Sequence, residues 1–208
     1  MKVKVCGMRE PENIRHVAAL GPDYMGFIFY EGSKRFAEGH ITPELLEELP
    51  SSIQKVGVFV NASTEVIKET VSKYGLDAVQ LHGRETPRQC TEVKELGVEV
   101  IKVFSVDDKF SFENALLYES CADYFLFDTR GKEYGGNGFP FDWELLKDNL
   151  SPKPYFLSGG INPDNVQQVD KVRPKPFAID VNSGFETEPG LKAVAQVRLL
   201  LEQFKIRD

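Results

Sequence analysis

Cysteine is scarce in these 208 residues, with Cys6, Cys90 and Cys121 the only three. They are too few and too scattered for a disulfide framework, and none stands in a CxxC pair or beside a histidine at metal-ligand spacing. Reduced thiols and no metal site are therefore expected. Positive charge is in deficit: 25 Lys and Arg against 32 Asp and Glu leave a formal charge of −7. That balance argues against a protein that binds by neutralising nucleic-acid phosphates or an anionic membrane surface. A small anionic ligand is still compatible with it, because backbone dipoles bind phosphate on an acidic protein. No hydrophobic run approaches membrane-spanning length, and the opening Met1-Lys2-Val3-Lys4-Val5-Cys6 turns polar at Arg9-Glu10 before a signal-peptide core forms. The cytoplasm is the expected compartment, with neither membrane nor nucleic acid as partner. No Pro/Gly/Ser-rich linker or low-complexity tract divides the chain, so residues 1–208 read as a single domain.

Short β-rich apolar runs recur at 3–6, 24–29, 55–60, 78–81, 100–104, 124–127, 155–157 and 177–181. Between them, helical periodicity or helix signals mark 11–20, 43–49, 64–74, 86–96 and 162–172. Thr64-Glu65, Thr86-Pro87 and Asn162-Pro163 each join a capping residue to a good first-turn residue. Residues 111–120 carry a weaker helix pattern, 141–150 follow a long loop, and 189–205 read as a final helix with Leu191, Val194, Val197, Leu201 and Phe204 facing the core. Eight units in 208 residues leave about 26 each, the size of a βα unit with short connections. The expected class is α/β, and eight repeats favour closure into one (βα)8 TIM barrel. A doubly wound open sheet is the alternative, although no GxGxxG follows the first strand.

In such a barrel, chemistry collects where strands end. Cys6-Gly7 ends the first strand, Ser33-Lys34-Arg35 follows the second, Asn61 ends the third, His82-Gly83 the fourth and Asp128 the sixth. Ser158-Gly159-Gly160 ends the seventh, and Asp180, Asn182, Ser183 and Gly184 the eighth. Gly159, Gly160, Ser183 and Gly184 would let backbone N–H groups approach a phosphate; either loop alone is equally a tight turn, whereas the pair favours phosphate. Gly135-Gly136-Asn137-Gly138 reads as a flap or a plain connector. A lone cysteine is as a rule a small core residue. At a strand end before a glycine, Cys6 gains a second reading as a base, given an electropositive setting. Asp128 either caps the next loop or, with apolar surface raising its pKa, donates a proton. Arg35 is either solvated or suited to bidentate capture of a carboxylate. Asp180 either contacts substrate or supports the backbone beyond it, and His82 reads as a structural or rim residue.

At these residues the sequence resembles the phosphoribosylanthranilate isomerase family of tryptophan biosynthesis. The segments that carry the likeness are Lys4-Val5-Cys6-Gly7, Gly26-Phe27-Ile28-Phe29-Tyr30, Val56-Gly57-Val58-Phe59-Val60-Asn61, Val79-Gln80-Leu81-His82-Gly83, Phe127-Asp128, Phe141-Asp142-Trp143, Leu157-Ser158-Gly159-Gly160, and Asp180 through Gly184 with Glu186. The resemblance implies a cofactor-free Amadori rearrangement of N-(5-phosphoribosyl)anthranilate to 1-(2-carboxyphenylamino)-1-deoxyribulose 5-phosphate. It implies Asp128 as general acid, Cys6 as general base, Arg35 as ligand of the anthranilate carboxylate, and Asp180 as a polar contact to the substrate. It assigns the phosphate to Gly159, Gly160, Ser183 and Gly184; a monomer or homodimer is the expected assembly. A histidine-pathway isomerase of the same chemistry would be expected to use two aspartates, so Cys6 speaks against it. Retention of both proton-transfer residues speaks against a non-catalytic phosphosugar-binding protein. Three positions depart from the family pattern: Lys34 replaces a proline, Asn137 a threonine and Asn182 a serine. Loss of the proline is expected to loosen the loop that aims Arg35, and the two asparagines bear on affinity more than on chemistry.

Overall fold

Side chains alternate across a strand with period two, and here the inward-facing set changes character from one end of each strand to the other. The computed structural model describes residues 1–129 and 142–205. Within them β1 (Lys2–Val5), β2 (Tyr24–Ile28), β3 (Gln54–Phe59), β4 (Ala78–Leu81), β5 (Glu99–Val106), β6 (Tyr124–Thr129), β7 (Tyr155–Leu157) and β8 (Ala178–Val181) run parallel. They form a closed barrel in sequence order, β1 closing on β8 through Val3↔Ile179 and Lys4↔Asp180. At the foot the inward positions are apolar and pack together as Tyr24, Val56, Ala78, Ile101, Leu126, Phe156 and Ala178. Two residues further on, several of the same strands turn polar: Ala78 gives way to Gln80, Leu126 to Asp128, Phe156 to Ser158 and Ala178 to Asp180. The outward positions, such as Val3, Val5, Val79, Phe127 and Ile179, bury against the helical layer.

That layer comprises α1 (Pro11–Ala18), α2 (Pro43–Glu47), α3 (Thr64–Tyr74), α4 (Pro87–Lys94), α5 (Glu113–Leu116) and α6 (Val194–Lys205). Thr42, Ser63 and Thr86 cap α2, α3 and α4 by accepting from Leu45, Val66 and Gln89 N–H groups at 3.3 Å. The expected helix over 162–172 is instead a 3-10 turn, Val166–Lys171. Asn162 and Asn165 exchange side-chain-to-backbone bonds there (2.9 and 3.3 Å) and take the place of a first helical turn. Trp143–Asp148 is likewise 3-10, and 111–120 contracts to α5. The glycine-rich segment 135–138, including Asn137, and Phe141 lie outside the described residues.

The final helix also needs correcting, because it begins at Val194 rather than Pro189. Before it, β9 (Glu186–Glu188) pairs antiparallel with β10 (Leu191–Lys192). Asn13 of α1 clamps Lys192 by accepting from its N–H at 2.8 Å and donating to its carbonyl at 2.9 Å, which keeps the segment extended. Leu191 is thus a hairpin residue and no part of a helical stripe.

Three aspartates repeat one device at the foot. Asp23, Asp77 and Asp123, just ahead of β2, β4 and β6, accept from the N–H groups of Val3, Lys55 and Val100 at 2.8, 2.8 and 2.9 Å. Each also donates its own N–H back to the same residue's carbonyl. No helix among the described residues is long and apolar enough to cross a membrane.

Candidate active site

The polar ends of the strands surround a concave site at the mouth of the barrel. Cys6, Gln80, His82, Asp128, Ser158, Asp180 and Asn182 supply its polar wall. Ile28, Val58, Val60 and Ile161 supply an apolar one, with Tyr30 beside them. Among the described residues no group of His, Cys, Asp and Glu is arranged to hold a metal ion.

Cys6 stands one step beyond β1, on the same face as Lys4. Its sulfur fits because β2 carries Gly26 opposite, where a Cβ would lie 2.7 Å from Sγ. Lys4, fully buried, donates to Asp180 Oδ1 at 2.8 Å, and Asp180 Oδ2 accepts from Ser158 at 3.3 Å. Burial pushes the Cys6 thiol up; Lys4 and Lys192 pull it down, Asp180 opposes them, and burial wins. Burial would lower the Lys4 ammonium, but Asp180 and Cys6 hold it above the ordinary lysine range. The electropositive setting that the sequence reading requires is present, yet it only moderates the cost of burying a thiolate.

Asp128 faces the same cavity from β6. It accepts from the Thr129 N–H at 2.8 Å, and His82 Nε2 lies 3.5 Å from its other oxygen. Polar groups thus flank both of its carboxylate oxygens. Gln80 Nε2 stands 3.4 Å from His82 Nδ1, so an amide, a ring and a carboxylate line up along the wall. His82 is 9% exposed and stands beside Asp128 on the cavity wall. The β7 loop passes so close to Asp128 that a Cβ on Gly159, whose φ is +86°, would sit 2.2 Å from Thr129 Oγ1 and 2.8 Å from Asp128 Oδ1.

Gly159, Gly160 and Ser183 line the cavity. The N–H groups of Gly159 and Gly160 bond to no other described residue, and Asn165 secures the Gly160 carbonyl at 2.8 Å. Gly184 does not reach the cavity. A Cβ there would meet the Ile161 carbonyl at 2.3 Å, so its smallness lets the β8 loop pack on the β7 loop. Arg35 also stands off the wall. Its guanidinium grips Glu186, with Nε 3.0 Å from both carboxylate oxygens and Nη2 2.7 Å from one. Its loop is secured without the proline: Arg35 N–H donates to Ser33 Oγ at 3.1 Å, and Arg9 donates to the Lys34 carbonyl at 2.9 Å. Asn182 accepts from Lys192 Nζ at 2.8 Å, and Lys192 also pairs with Glu186. Burial draws the Lys192 ammonium down to about 8 against the opposing pull of Glu186.

The sequence reading assigned no role to Lys4, Gln80 or Lys192. Lys4 was readable, since alternation in Lys2-Val3-Lys4-Val5-Cys6 puts it on the face of Cys6. The same rule aligns Gln80 with His82. Lys192 had no local signal, because its place depends on the β9–β10 hairpin.

Residues 3–203 match the family model described as N-(5'phosphoribosyl)anthranilate (PRA) isomerase. The chain belongs to the N-(5'-phosphoribosyl)anthranilate isomerase family. A relative of that name from Parabacteroides distasonis is 48% identical over 205 residues, covering 98% of this chain and 93% of its own. The phosphoribosyl anthranilate isomerase of Thermus thermophilus superposes with a TM-score of 0.86 at 30% identity, each chain fully covered. The phosphoribosyl anthranilate isomerase of Thermotoga maritima is 37% identical with a TM-score of 0.84, over 99% of this chain and 98% of that one. A phosphoribosyl anthranilate isomerase solved in complex with reduced 1-(o-carboxyphenylamino)-1-deoxyribulose 5-phosphate is also 37% identical, with a TM-score of 0.81 over 99% of this chain and 98% of that one. Membership of the isomerase family thus agrees with the closed barrel and with a cavity at the strand ends.

Proposed function

We propose that this chain converts N-(5-phosphoribosyl)anthranilate to 1-(2-carboxyphenylamino)-1-deoxyribulose 5-phosphate in tryptophan biosynthesis, with Asp128 as general acid and Cys6 as general base. The observation that carries the reading is their convergence from β6 and β1 on one cavity, edged by the Gly159-Gly160 and Ser183 backbone. The phosphate lies against those N–H groups, which fixes one end of the sugar. Asp128 protonates the ribose ring oxygen; the C1–O bond breaks and the anilino nitrogen's lone pair forms a protonated imine. Cys6, as thiolate, removes the proton on C2, and those electrons neutralise the imine to give an enolamine. Proton transfer from its hydroxyl to C1 then yields the ketone.

Electrostatics explain why a buried thiol suffices. The protonated imine adds a positive charge beside the sulfur and complements Lys4, lowering the cost of the thiolate when it is needed. Asp180, held by Lys4 and Ser158, keeps acceptor capacity for a substrate hydroxyl or the amine. Arg35 takes the ring carboxylate. The reading includes no cofactor, a cytoplasmic location, a single catalytic barrel, and a monomer or homodimer; the Thermotoga maritima relative is described as dimeric.

The test is to mix purified protein with freshly prepared phosphoribosylanthranilate and follow loss of substrate fluorescence without added metal or cofactor. Turnover is expected. Its absence in well-folded protein removes the proposal.

A further inference from the structure

Arg35 is held, and the way it is held leaves part of its guanidinium open. Glu186 takes the Nε and Nη2 donors, while Nη1 has no partner among the described residues. A guanidinium carries five N–H donors in a planar fork, so its Nη1–Nη2 edge still suits a second carboxylate. The Arg35 stem crosses Gly7, next to Cys6: a Cβ at Gly7 would lie 2.7 Å from Arg35 Cδ and 2.6 Å from Asn182 Oδ1. Asn182 lines the cavity, so the Arg35 stem passes close to its rim. Glu186 is fixed in turn, by buried Lys192 and by the Gly190 N–H at 3.1 Å. Burial alone would push its carboxyl up, but Arg35 and Lys192 hold it below the usual range, so it stays ionised.

We infer that Glu186 is a positioning residue that aims Arg35 and so sets a preference for N-aryl phosphosugars with a carboxylate on the ring, Lys192 being its buried counter-charge. The inference rests on the function proposed above. The contrary role for the same contact is that of a plug, which the substrate carboxylate must displace. The two roles differ in sign. Removing an aiming residue weakens capture of the carboxylate, whereas removing a plug strengthens it.

The experiment compares wild type, Glu186→Gln and Glu186→Asp on phosphoribosylanthranilate and on the phosphoribosyl derivative of aniline, which lacks the carboxylate. Loss of a charged hydrogen-bonding anchor predicts a KM for the carboxylated substrate raised roughly tenfold or more in Glu186→Gln, with kcat far less affected. The ratio of kcat/KM between the two substrates falls by a similar factor. Glu186→Asp, which keeps the charge at shorter reach, falls between, and it carries the test alone if the Gln variant does not fold. Parallel losses on both substrates, or a lower KM in Glu186→Gln, overturn the inference. A wild type that handles both substrates equally overturns it too, while leaving the proposed function standing. Turnover of neither substrate by folded wild type defeats that function itself.

Discussion

Among the buried lysine–carboxylate pairs near the barrel mouth, Lys4–Asp180 and Lys102–Glu85 are put to different uses. On the β1–β8 side Lys4 meets Asp180 at 2.8 Å inside the barrel, beside Cys6. On the β4–β5 side Lys102 meets Glu85 at 2.7 Å in the layer outside it. The outer pair is saturated. Lys102 also donates to the Leu81 and Gly83 carbonyls at 3.2 and 2.9 Å, and Glu85 accepts from the N–H groups of Gly83 and Asn61. The inner pair is not, for among the described residues Asp180 has only Lys4 and Ser158, and both carboxylate and thiol face the cavity. A buried ion pair with every valence filled holds a loop, while one with spare valence beside an opening is available to a ligand. Burial and charge alone do not distinguish them.

The contrast can be broken most severely on its chemical side. Asp128→Asn and Cys6→Ser are each expected to cut turnover by about 10³-fold, within the range for a lost acid or base, with melting temperatures close to wild type. Near-normal rates in either variant would remove that residue from its role. On the structural side, Glu85→Gln strands Lys102 in the interior and should cost about 3–5 kcal/mol of unfolding free energy in a urea titration. Its turnover per folded molecule should change far less than in the Asp128 variant, and a reversed pattern would erase the distinction between the two pairs.

A finer test is Lys4→Met. Removing the nearest cation raises the thiol further, so the limb of kcat/KM that rises with pH should move to higher pH, with about a tenfold loss at neutrality per unit of movement. An unmoved limb would dissociate Lys4 from Cys6. The smallest effect concerns Lys192. Its folded-state value of about 8 lies below the ordinary 10.5, so the unfolded chain binds more protons between those values, and this group makes stability rise with pH across that window. Lys192→Met should flatten the rise in urea midpoints measured from pH 8 to 10.5.

How much of this was readable beforehand depended on how local the cause was. The bounds of α3, β4 and β7 follow directly from their residues, because a capped amphipathic run and short apolar runs carry their own signals. Cys6, Asp128, Asp180, Gly159, Gly160 and Ser183 were placed together by strand order alone, and all line one cavity. The roles of Gly184 and Arg35 were less legible, since one is fixed by a neighbouring loop and the other by Glu186, 151 positions away. The β9–β10 hairpin was hidden for the same reason. Its extended backbone is imposed by Asn13, 179 positions from Lys192, and the local pattern from Pro189 favours a helix.

The aspartates at the foot bear on how such a barrel can be rebuilt. Asp23, Asp77 and Asp123 fasten β1 to β2, β3 to β4 and β5 to β6 with the same paired bonds, all at the end remote from the cavity. Fastening and recognition therefore occupy opposite poles of each strand. The foot is a reusable chassis of two-strand modules, and the loops of the mouth are interchangeable fittings that can be traded for others without undoing a single one of those fastenings.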